Sequence, residues 1–304
     1  MSDTLVGLTR KIQSATELQS VVRTMKAIAA SSIGQFEKSV RSLADYYRSV
    51  ELGLGACFRI GKFSESPEAV NGKIDSAVIG AIVFGSDQGL VGQFNDTIAD
   101  FVVKTLETLP GKRLLWAVGE RVHASLIDRG LTLEGLFPLP GSVEAIAPLV
   151  GRIQIECEAY RAKGEYTHFY IFHNRPQAGA LYAPVSQRLL PLDAQWQSDI
   201  AKTPWPTKLP PEVIPGEEVA LPAFIREYLF ISLFQACAES LASENASRLA
   251  AMERAEKNIT ELVDELHGSF HRLRQNSIDE ELFDVVSGYE SLAGENATRK
   301  KESE

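Results

Sequence analysis

The sequence predicts a mixed α/β protein in which two long terminal helices pair as an antiparallel coiled coil, with an α/β domain inserted between them. At both ends of the chain, apolar residues recur in alternating steps of three and four. The middle changes to short apolar runs that alternate with helical patterns. A stripe with a period near 3.5 residues keeps facing a partner helix only if the two helices coil around each other. Two such stripes, far apart in one chain, therefore favour a shaft in which the N-terminal and C-terminal helices pair with each other.

The N-terminal stripe predicts a coiled-coil helix over residues 1–60, helical from about residue 3. Its members are Leu5, Leu8, Ile12, Ala15, Leu18, Val22, Met25 and Ala29, followed by Ile33, Phe36, Val40, Leu43, Tyr47, Val50 and Leu54. The steps slip near Ala15 and Ala29. About 55 helical residues at about 1.5 Å each extend roughly 80 Å. We therefore expect part of this helix to find a partner outside the inserted domain.

The C-terminal stripe predicts a second coiled-coil helix over residues 221–293. Its members are Leu249, Met252, Ile259, Leu262, Leu266, Phe270 and Leu273, followed by Ile278, Leu282, Val285, Tyr289 and Leu292. Gly268 indicates a bend or a close approach of another helix. Six prolines between Thr203 and Pro222 predict a stiff, extended linker in front of the helix.

The middle, residues 73–202, predicts a small Rossmann-like α/β domain that follows a polar loop at Gly61–Gly72. The predicted strands are Ala77–Phe84, Arg113–Val118, His168–Phe172 and an edge strand at Leu181–Leu192. The predicted helices are Asp96–Leu109, Glu120–Asp128 and Ser142–Lys163. Strands that alternate with helices form βαβ units, so the sheet is expected to be mostly parallel.

Composition limits the partners. The net charge is −9 and the pI is about 5.2, whereas nonspecific nucleic-acid binding needs a basic face. We therefore expect no nucleic-acid partner. The three cysteines, Cys57, Cys157 and Cys237, have no metal or disulfide spacing and are expected to be buried. No stretch approaches the roughly 18 apolar residues of a membrane span, so we expect no direct span.

Two patterns in the sequence are candidate ligand sites. The turn Gly85–Gly92 follows a strand and precedes a helix, where phosphate-binding loops lie. It lacks the Lys-Ser/Thr pair of a P-loop and the dinucleotide glycine spacing. His267 and His271 share a helix face but have too few further ligands nearby for a metal. We therefore expect no catalytic residue, cofactor or metal, and keep a nucleotide-dependent enzyme built on the insert as an alternative.

Four segments resemble the gamma subunit of F-type ATP synthases. They are Met25–Ser31 (MKAIAAS), Gly85–Asn95 (GSDQGLVGQFN), Ser243–Met252 (SENASRLAAM) and Arg274–Ile278 (RQNSI). They occur in the family's order across nearly the whole chain. Ser32 and Gln88 stand where the family usually has Lys and Arg. These departures favour a divergent branch, such as the alternative ATPases of some bacteria.

The resemblance implies a central rotor shaft that couples ion flow through a membrane sector to nucleotide chemistry in a ring of alpha and beta subunits. It also implies contacts with an epsilon subunit and the membrane ring of c subunits, no catalytic residues, and a peripheral position on the cytoplasmic face of a bacterial inner membrane. The implied partner-binding residues are Lys26 and Arg248 at the beta-subunit lever and its neighbours, Arg274 and Gln275 at the upper collar of the ring, and Asp87 and Gln88 on the insert at the lower contact. Met25, which is expected to pack in the coil near Arg248, and Met252 complete the set.

A coiled-coil scaffold or assembly protein without a rotary role remains an alternative. The two hypotheses differ in the surface they require at the end of the shaft. A shaft that turns in a sleeve should avoid large apolar patches there, whereas a static scaffold can keep one.

Overall fold

The computed structural model describes residues 4–60, 78–162, 167–209, 211–214 and 216–301, so the predicted loop at Gly61–Gly72 lies outside the described residues. The helices are α1 Leu5–Ile60, α2 Phe94–Glu107, α3 Glu120–Asp128, α4 Ile146–Ala162, α5 Ala194–Lys202 and α6 Glu217–Lys301. The strands are β1 Val78–Phe84, β2 Lys112–Val118, β3 Gly135–Phe137, β4 His168–Gln177 and β5 Ala180–Leu190. The chain forms two compact units. We call Ala27–Ala251 the sheet unit, and the segments up to Lys26 and from Met252 the coil unit.

The sheet unit contains a five-stranded sheet in the order β3-β2-β1-β4-β5. Strand β1 pairs in parallel with both β2 and β4, and β2 pairs in parallel with β3. Only the hairpin partner β5 is antiparallel. The mostly parallel sheet with an edge strand after β4 is therefore confirmed. The three-residue strand β3 was missed, because so short a run carries no periodicity.

Side chains alternate between the two faces of this sheet, as the period of a strand requires. Ile79, Ala81 and Val83 of β1 join a cluster with α2 and α3. Ile82 and Phe84 join a second cluster, to which α1, α4 and α6 contribute. Because helices cover both faces, the strands are buried on both sides, which explains why they are continuous apolar runs. Cys57, Cys157 and Cys237 are buried in the second cluster, as expected.

Several helices differ from the prediction. Helix α6 begins at Glu217, so Pro222 lies inside the helix rather than in an extended linker. Pro222 is the sixth residue of the helix, so its ring supplies a helical φ but its missing N–H removes one hydrogen bond of the second turn. Helix α4 begins at Ile146 rather than Ser142. Helix α5 was missed, although Asp193 caps it by accepting a hydrogen bond from the Trp196 backbone at 2.9 Å.

In the coil unit, α1 and α6 pair in opposite directions. Gln19 contacts Thr260, whereas Arg23 and Lys26, further along α1, contact Glu256, which comes earlier in α6. Leu8, Ala15 and Val22 of α1 are buried at seven-residue intervals, as are Met252 and Ile259 of α6. The antiparallel coiled coil is therefore confirmed, with the heptad repeat expected of such a pair.

Where the two helices pair, the predicted stripe is displaced by one residue at two places. Leu18 and Leu262 are about half exposed, at 53% and 46%, and Gln19 and Val263 are partly buried in their place. Lys26 is also partly buried, next to the predicted Met25. With these three residues in the stripe, the steps of three and four continue without the slips near Ala15 and Ala29. Gln19 and Lys26 can lie there because their polar ends reach hydrogen-bonding partners on α6.

Two further features of α6 differ from the expectations. Nothing lies within 4 Å of the position that a Cβ would take at Gly268, so this glycine does not mark a close approach of another helix. The predicted stripe members Ile278, Leu282 and Val285 are exposed, as are the neighbouring Phe283 and Val286.

Helix α6 also has enough length and apolar composition to be considered as a membrane span. A window within Glu218–Gly288 has a mean hydropathy of 1.3, and 39% of that window is buried inside the protein. The expectation that no stretch of the chain is long and apolar enough for a membrane span is therefore wrong, as judged by length and composition. A single helix of this kind is weak support for a span, because core helices pass the same test.

Candidate functional site

The coil unit places Lys26 in a layer of charges between the two helices. Lys26 Nζ lies 3.3 Å from Glu256 Oε2 and 3.8 Å from Glu253 Oε1. Arg23 Nε donates to the other oxygen, Glu256 Oε1, at 2.8 Å. Hydrogen bonds from Arg23 and Lys26 lower the pKa of Glu256. Much of the Lys26 charge is thus already paired within the chain, and Glu256, which the sequence analysis missed, is its partner.

The two predicted methionines of the coil unit differ in exposure. Met252 is buried at 3% exposure, whereas Met25 is only partly buried. Met252 therefore acts first as a packing residue of the coil. Arg274 and Gln275 are both exposed on α6, and their side chains are available for contact with another protein.

In the sheet unit, Arg248 is paired with a buried acid one turn earlier on α6. Its Nη2 contacts Glu244 Oε1 at 2.5 Å, and its Nη1 donates to Asn245 Oδ1 at 3.2 Å. The Arg248 and Glu244 side chains are 13% and 4% exposed. Burial raises the pKa of Glu244, and Arg248 opposes that shift. Arg248 therefore compensates a buried carboxyl in addition to any contact it makes with a partner.

A second buried acid, Glu239, joins α6 to β4. His173 Nε2 lies 2.8 Å from Glu239 Oε2, and Arg175 Nε donates to the same oxygen at 2.7 Å. Gln235 donates to Oε1 at 2.8 Å. Burial alone would raise the pKa of Glu239, but hydrogen bonds from His173, Gln235 and Arg175 lower it to about 2. No sequence motif predicts this cluster, because Glu239 lies 66 residues from His173 and 64 residues from Arg175.

The carboxylate of Asp87 connects the glycine-rich turn to two other segments through backbone hydrogen bonds. Its Oδ1 accepts from the Glu120 backbone N–H at 2.9 Å, and its Oδ2 accepts from the Leu139 N–H at 3.1 Å. Glu120 is the first residue of α3, so a carboxylate occupies the N-terminus of this helix, where a phosphate would otherwise be favoured. Gly119 makes the close approach possible, since it has φ +114° and a Cβ there would lie 2.8 Å from the Ser86 backbone. Gln88, by contrast, is exposed.

The predicted residues therefore lie in several separate places rather than in one pocket. Lys26 belongs to the charge layer and Met252 to the core of the coil. Arg248 and Asp87 have their polar atoms bonded within the sheet unit. Among the residues that the structure describes, no group of three or more His, Cys, Asp or Glu side chains is arranged to hold a metal. The antiparallel contacts of α1 with α6 and the five-stranded sheet define a coiled-coil protein with an inserted α/β domain.

Comparisons with known proteins identify the family. A family model described as ATP synthase matches residues 4–292. The ATP synthase gamma chain of Glaesserella parasuis is 27% identical over 282 residues, which cover 91% of this chain and 96% of that protein. The gamma chain of Dechloromonas aromatica is also 27% identical, over 281 residues and with the same coverage. The chain belongs to the ATP synthase family, and the predicted resemblance to gamma subunits is confirmed.

Solved structures support the fold. The rotor of the Euglena gracilis mitochondrial ATP synthase matches with a TM-score of 0.62 and 15% identity, over 90% of this chain and 98% of that chain. The central stalk and c-ring structure of the Tetrahymena thermophila mitochondrial ATP synthase matches with a TM-score of 0.54 and 21% identity, over 77% and 99%. The predicted combination of terminal coiled coil and inserted α/β domain is therefore confirmed.

Proposed function

We propose that this chain is the central rotor shaft of a rotary F-type ATP synthase or ATPase. In this role it couples the flow of hydrogen or sodium ions through the membrane sector to nucleotide chemistry in a ring of alpha and beta subunits. The observation that carries the proposal is the antiparallel pairing of the two chain ends, seen in the contacts of Gln19 with Thr260 and of Lys26 with Glu256. Membership of the ATP synthase family over residues 4–292 supports it.

The physical basis of the coupling is linkage. If the angle of the shaft changes the nucleotide affinity of a ring subunit, then nucleotide occupancy must favour some angles over others. Each tenfold difference in affinity makes about 1.4 kcal/mol available for turning. An asymmetric shaft can therefore make chemically equal sites unequal without contributing a catalytic residue.

The proposed partners are the alpha and beta subunits, the epsilon subunit and the membrane ring of c subunits. Similar solved structures are described as a rotor and as a central stalk with a c-ring, which supports this assignment. We propose that residues 1–60 and 221–293 form the shaft and that residues 73–202 form the inserted domain that meets the epsilon subunit and the c ring. The chain would then be a peripheral protein of the cytoplasmic face of a bacterial inner membrane, in a divergent branch of the family.

The residues proposed to bind partners differ in how accessible their side chains are. Arg274 and Gln275 are exposed and suited to the upper collar. Gln88 is exposed and suited to the lower contact, whereas the carboxylate of Asp87 is bonded inside the sheet unit. Lys26 and Arg248 would act at the beta-subunit lever and its neighbours, whereas Met25 and Met252 would contribute by packing in the coil. Lys26 can contact an acidic partner loop only in competition with Glu256.

We infer that the chain has no catalytic residue, cofactor or metal of its own and no nucleic-acid partner. The carboxylate of Asp87 at the start of α3 weighs against nucleotide binding at the glycine-rich turn. A direct membrane span by α6 is disfavoured because much of its apolar surface packs against the sheet. These core residues include Ile231, Leu233, Phe234, Ala236, Cys237 and Ala238.

A static scaffold is the second candidate, and one observation favours it. Ile278, Leu282 and Phe283 near the end of α6 are 53%, 60% and 73% exposed, and an apolar patch of this kind indicates a partner that covers it. Purification of the tagged chain from its own cells separates the candidates. The rotor hypothesis requires that nucleotide-binding ring subunits be recovered with it. Recovery of other proteins without these subunits would favour the scaffold.

Arg248 provides a test of coupling. We expect Arg248→Ala to permit assembly but to lower ion pumping per ATP hydrolysed, since it removes a charge at the proposed lever. The substitution also leaves Glu244 buried without its cation, so the matched control is Glu244→Gln in the same background. If pumping per ATP is unchanged in both assembled variants, Arg248 has no role at the lever.

A further inference from the structure

The guanidinium of Arg248 is held by two neighbours on α6. Its Nη2 donates to Glu244 Oε1 at 2.5 Å, and its Nη1 donates to Asn245 Oδ1 at 3.2 Å. The Asn245 amide is oriented in turn, because its Nδ2 donates to the Leu241 carbonyl at 2.8 Å. A guanidinium is a planar group with five N–H donors, so two fixed bonds set its direction and leave three donors for other contacts. The Arg248 side chain is 13% exposed, so part of it is accessible to another protein.

Glu244 lies deeper than Arg248, with a side chain that is only 4% exposed. Among the described residues, its second oxygen, Oε2, is buried without a hydrogen-bond partner. The next turn of α6 is held in place by Ser247, whose Oγ donates to the Val91 carbonyl at 2.6 Å. Replacement of a buried ion pair by apolar side chains often leaves stability unchanged or raises it. Stability alone therefore does not account for an acid at position 244, which points to a role through Arg248.

The charges that face Glu244 come from α6 and from the loop between β1 and α2. Burial raises the pKa of Glu244, Arg248 opposes this shift, and Asp87 of the loop adds to it. The Cys237 thiol of α6 also interacts with Glu244, but burial raises its pKa, so the thiol stays neutral. Arg248 therefore favours the ionised form of Glu244, and the ionised carboxylate in turn holds the guanidinium.

We propose that Glu244 is a positioning residue for the contact that Arg248 makes with the ring of alpha and beta subunits. The buried carboxylate holds the guanidinium in one direction, and only Arg248 of this pair touches the partner. An arginine that is fixed before binding loses less side-chain entropy on contact, so it binds more tightly than a freely moving one. This inference rests on the proposed rotor function and on the assignment of Arg248 to the beta-subunit lever.

The test is a double-mutant cycle in the full-length chain, measured as affinity for a ring of alpha and beta subunits from the same source. Glu244→Gln keeps an oxygen acceptor but removes the charge, and the affinity should fall about threefold or more. Arg248→Met keeps the apolar stem and should lower the affinity at least as much. In the Arg248→Met background, Glu244→Gln should not lower the affinity again, because the group that it positions is absent. Independent effects would instead add.

Acid should have the same effect as the substitution. Because the pKa of Glu244 is raised above its usual 4.5, the folded carboxyl takes up a proton as the pH falls towards that raised value, and Arg248 loses its counter-charge. Ring affinity of the wild type should therefore fall between pH 7 and pH 5. The fall should be smaller for Glu244→Gln, measured with the same ring, since an amide does not titrate. A residue with only a structural role would leave the two profiles parallel.

Glu239→Gln is the matched control, since Glu239 is also a buried acid of α6 but bonds to His173 and Arg175. It should lower stability and leave ring affinity unchanged. Unchanged ring affinity of Glu244→Gln, or an equal fall with and without Arg248, overturns the inference alone. Unchanged affinity of Arg248→Met overturns the assignment of Arg248 to the lever. A wild-type chain that does not bind the ring overturns the proposed function, and this inference with it.

Discussion

Helix α6 meets two different environments along its length. Within the sheet unit, almost every residue from Ile231 to Asn245 is buried, including the acids Glu239 and Glu244. Within the coil unit, only about one residue in three or four is buried or partly buried, as at Met252 and Ile259. The comparison shows that one helix can depend on specific polar partners in one region and on a narrow apolar stripe in another. Substitutions should therefore have different consequences in the two units.

The largest effect is expected from a proline in the coil unit. Leu266→Pro removes a helix hydrogen bond and introduces a steric clash, which destabilises a helix interior by about 3 kcal/mol or more. Hydrogen exchange should show loss of protection around residues 252–273, while the sheet unit stays protected. Leu266→Ala is the control, since it shortens the side chain without breaking the helix. Equal loss of protection in both units would mean that they unfold as one.

The next effect is expected at the buried acid of the sheet unit. Glu239→Gln removes the charge that pairs with Arg175 and faces His173, and we expect a loss of about 2 kcal/mol, since Arg175 is 46% exposed and its charge is partly solvated. Chemical denaturation measures this loss as a decrease in the free energy of unfolding. Glu158→Gln, which breaks an exposed pair with Arg226, should change stability little. A similar loss in both variants would show that burial does not distinguish the two pairs.

A dependence on pH should follow from the same cluster. Burial lowers the pKa of His173 below its usual 6.5, more than the hydrogen bond with Glu239 raises it. Below about pH 6.5 the unfolded chain therefore binds a proton that the folded chain does not, and stability falls. The contribution of Glu239, whose pKa is lowered to about 2, is lost between its usual 4.5 and that value.

The measurement is the urea midpoint between pH 7 and pH 5, in the wild type and in His173→Gln. The variant keeps a hydrogen-bonding side chain but does not titrate, so its profile should be flatter in this range. Glu244 acts in the opposite direction, because burial raises its pKa, and it contributes equally to both proteins. Identical slopes would assign the acid sensitivity to groups other than His173.

The smallest effect is expected from the charge layer of the coil unit. Lys26→Met replaces a partly exposed cation by an apolar side chain of similar length at a position that faces α6. Since exposed ion pairs contribute little, the melting temperature should barely change. Lys257→Met is the matched control, because Lys257 pairs with Glu261 on the surface of α6 alone. A marked loss for Lys26→Met only would show that the layer stabilises the coil.

Much of this molecule could be predicted because periodicity is a local property. The steps of three and four marked both terminal helices, and the change to short apolar runs marked strands β1, β2 and β4. The details that failed depend on distant partners. Gln19 faces α6 in place of Leu18, and Lys26 faces it beside Met25, because Thr260 and Glu256 accept their hydrogen bonds; these partners lie 241 and 230 residues away.

The sequence by itself determined the types of element, their order and the family, since these follow from the spacing of apolar residues and from short motifs. Only the tertiary structure decided which charges are already paired, that Asp87 closes the start of α3, and that Glu244 lies buried against Arg248. Burial and pairing depend on atoms brought together from distant parts of the chain, and no local pattern records them.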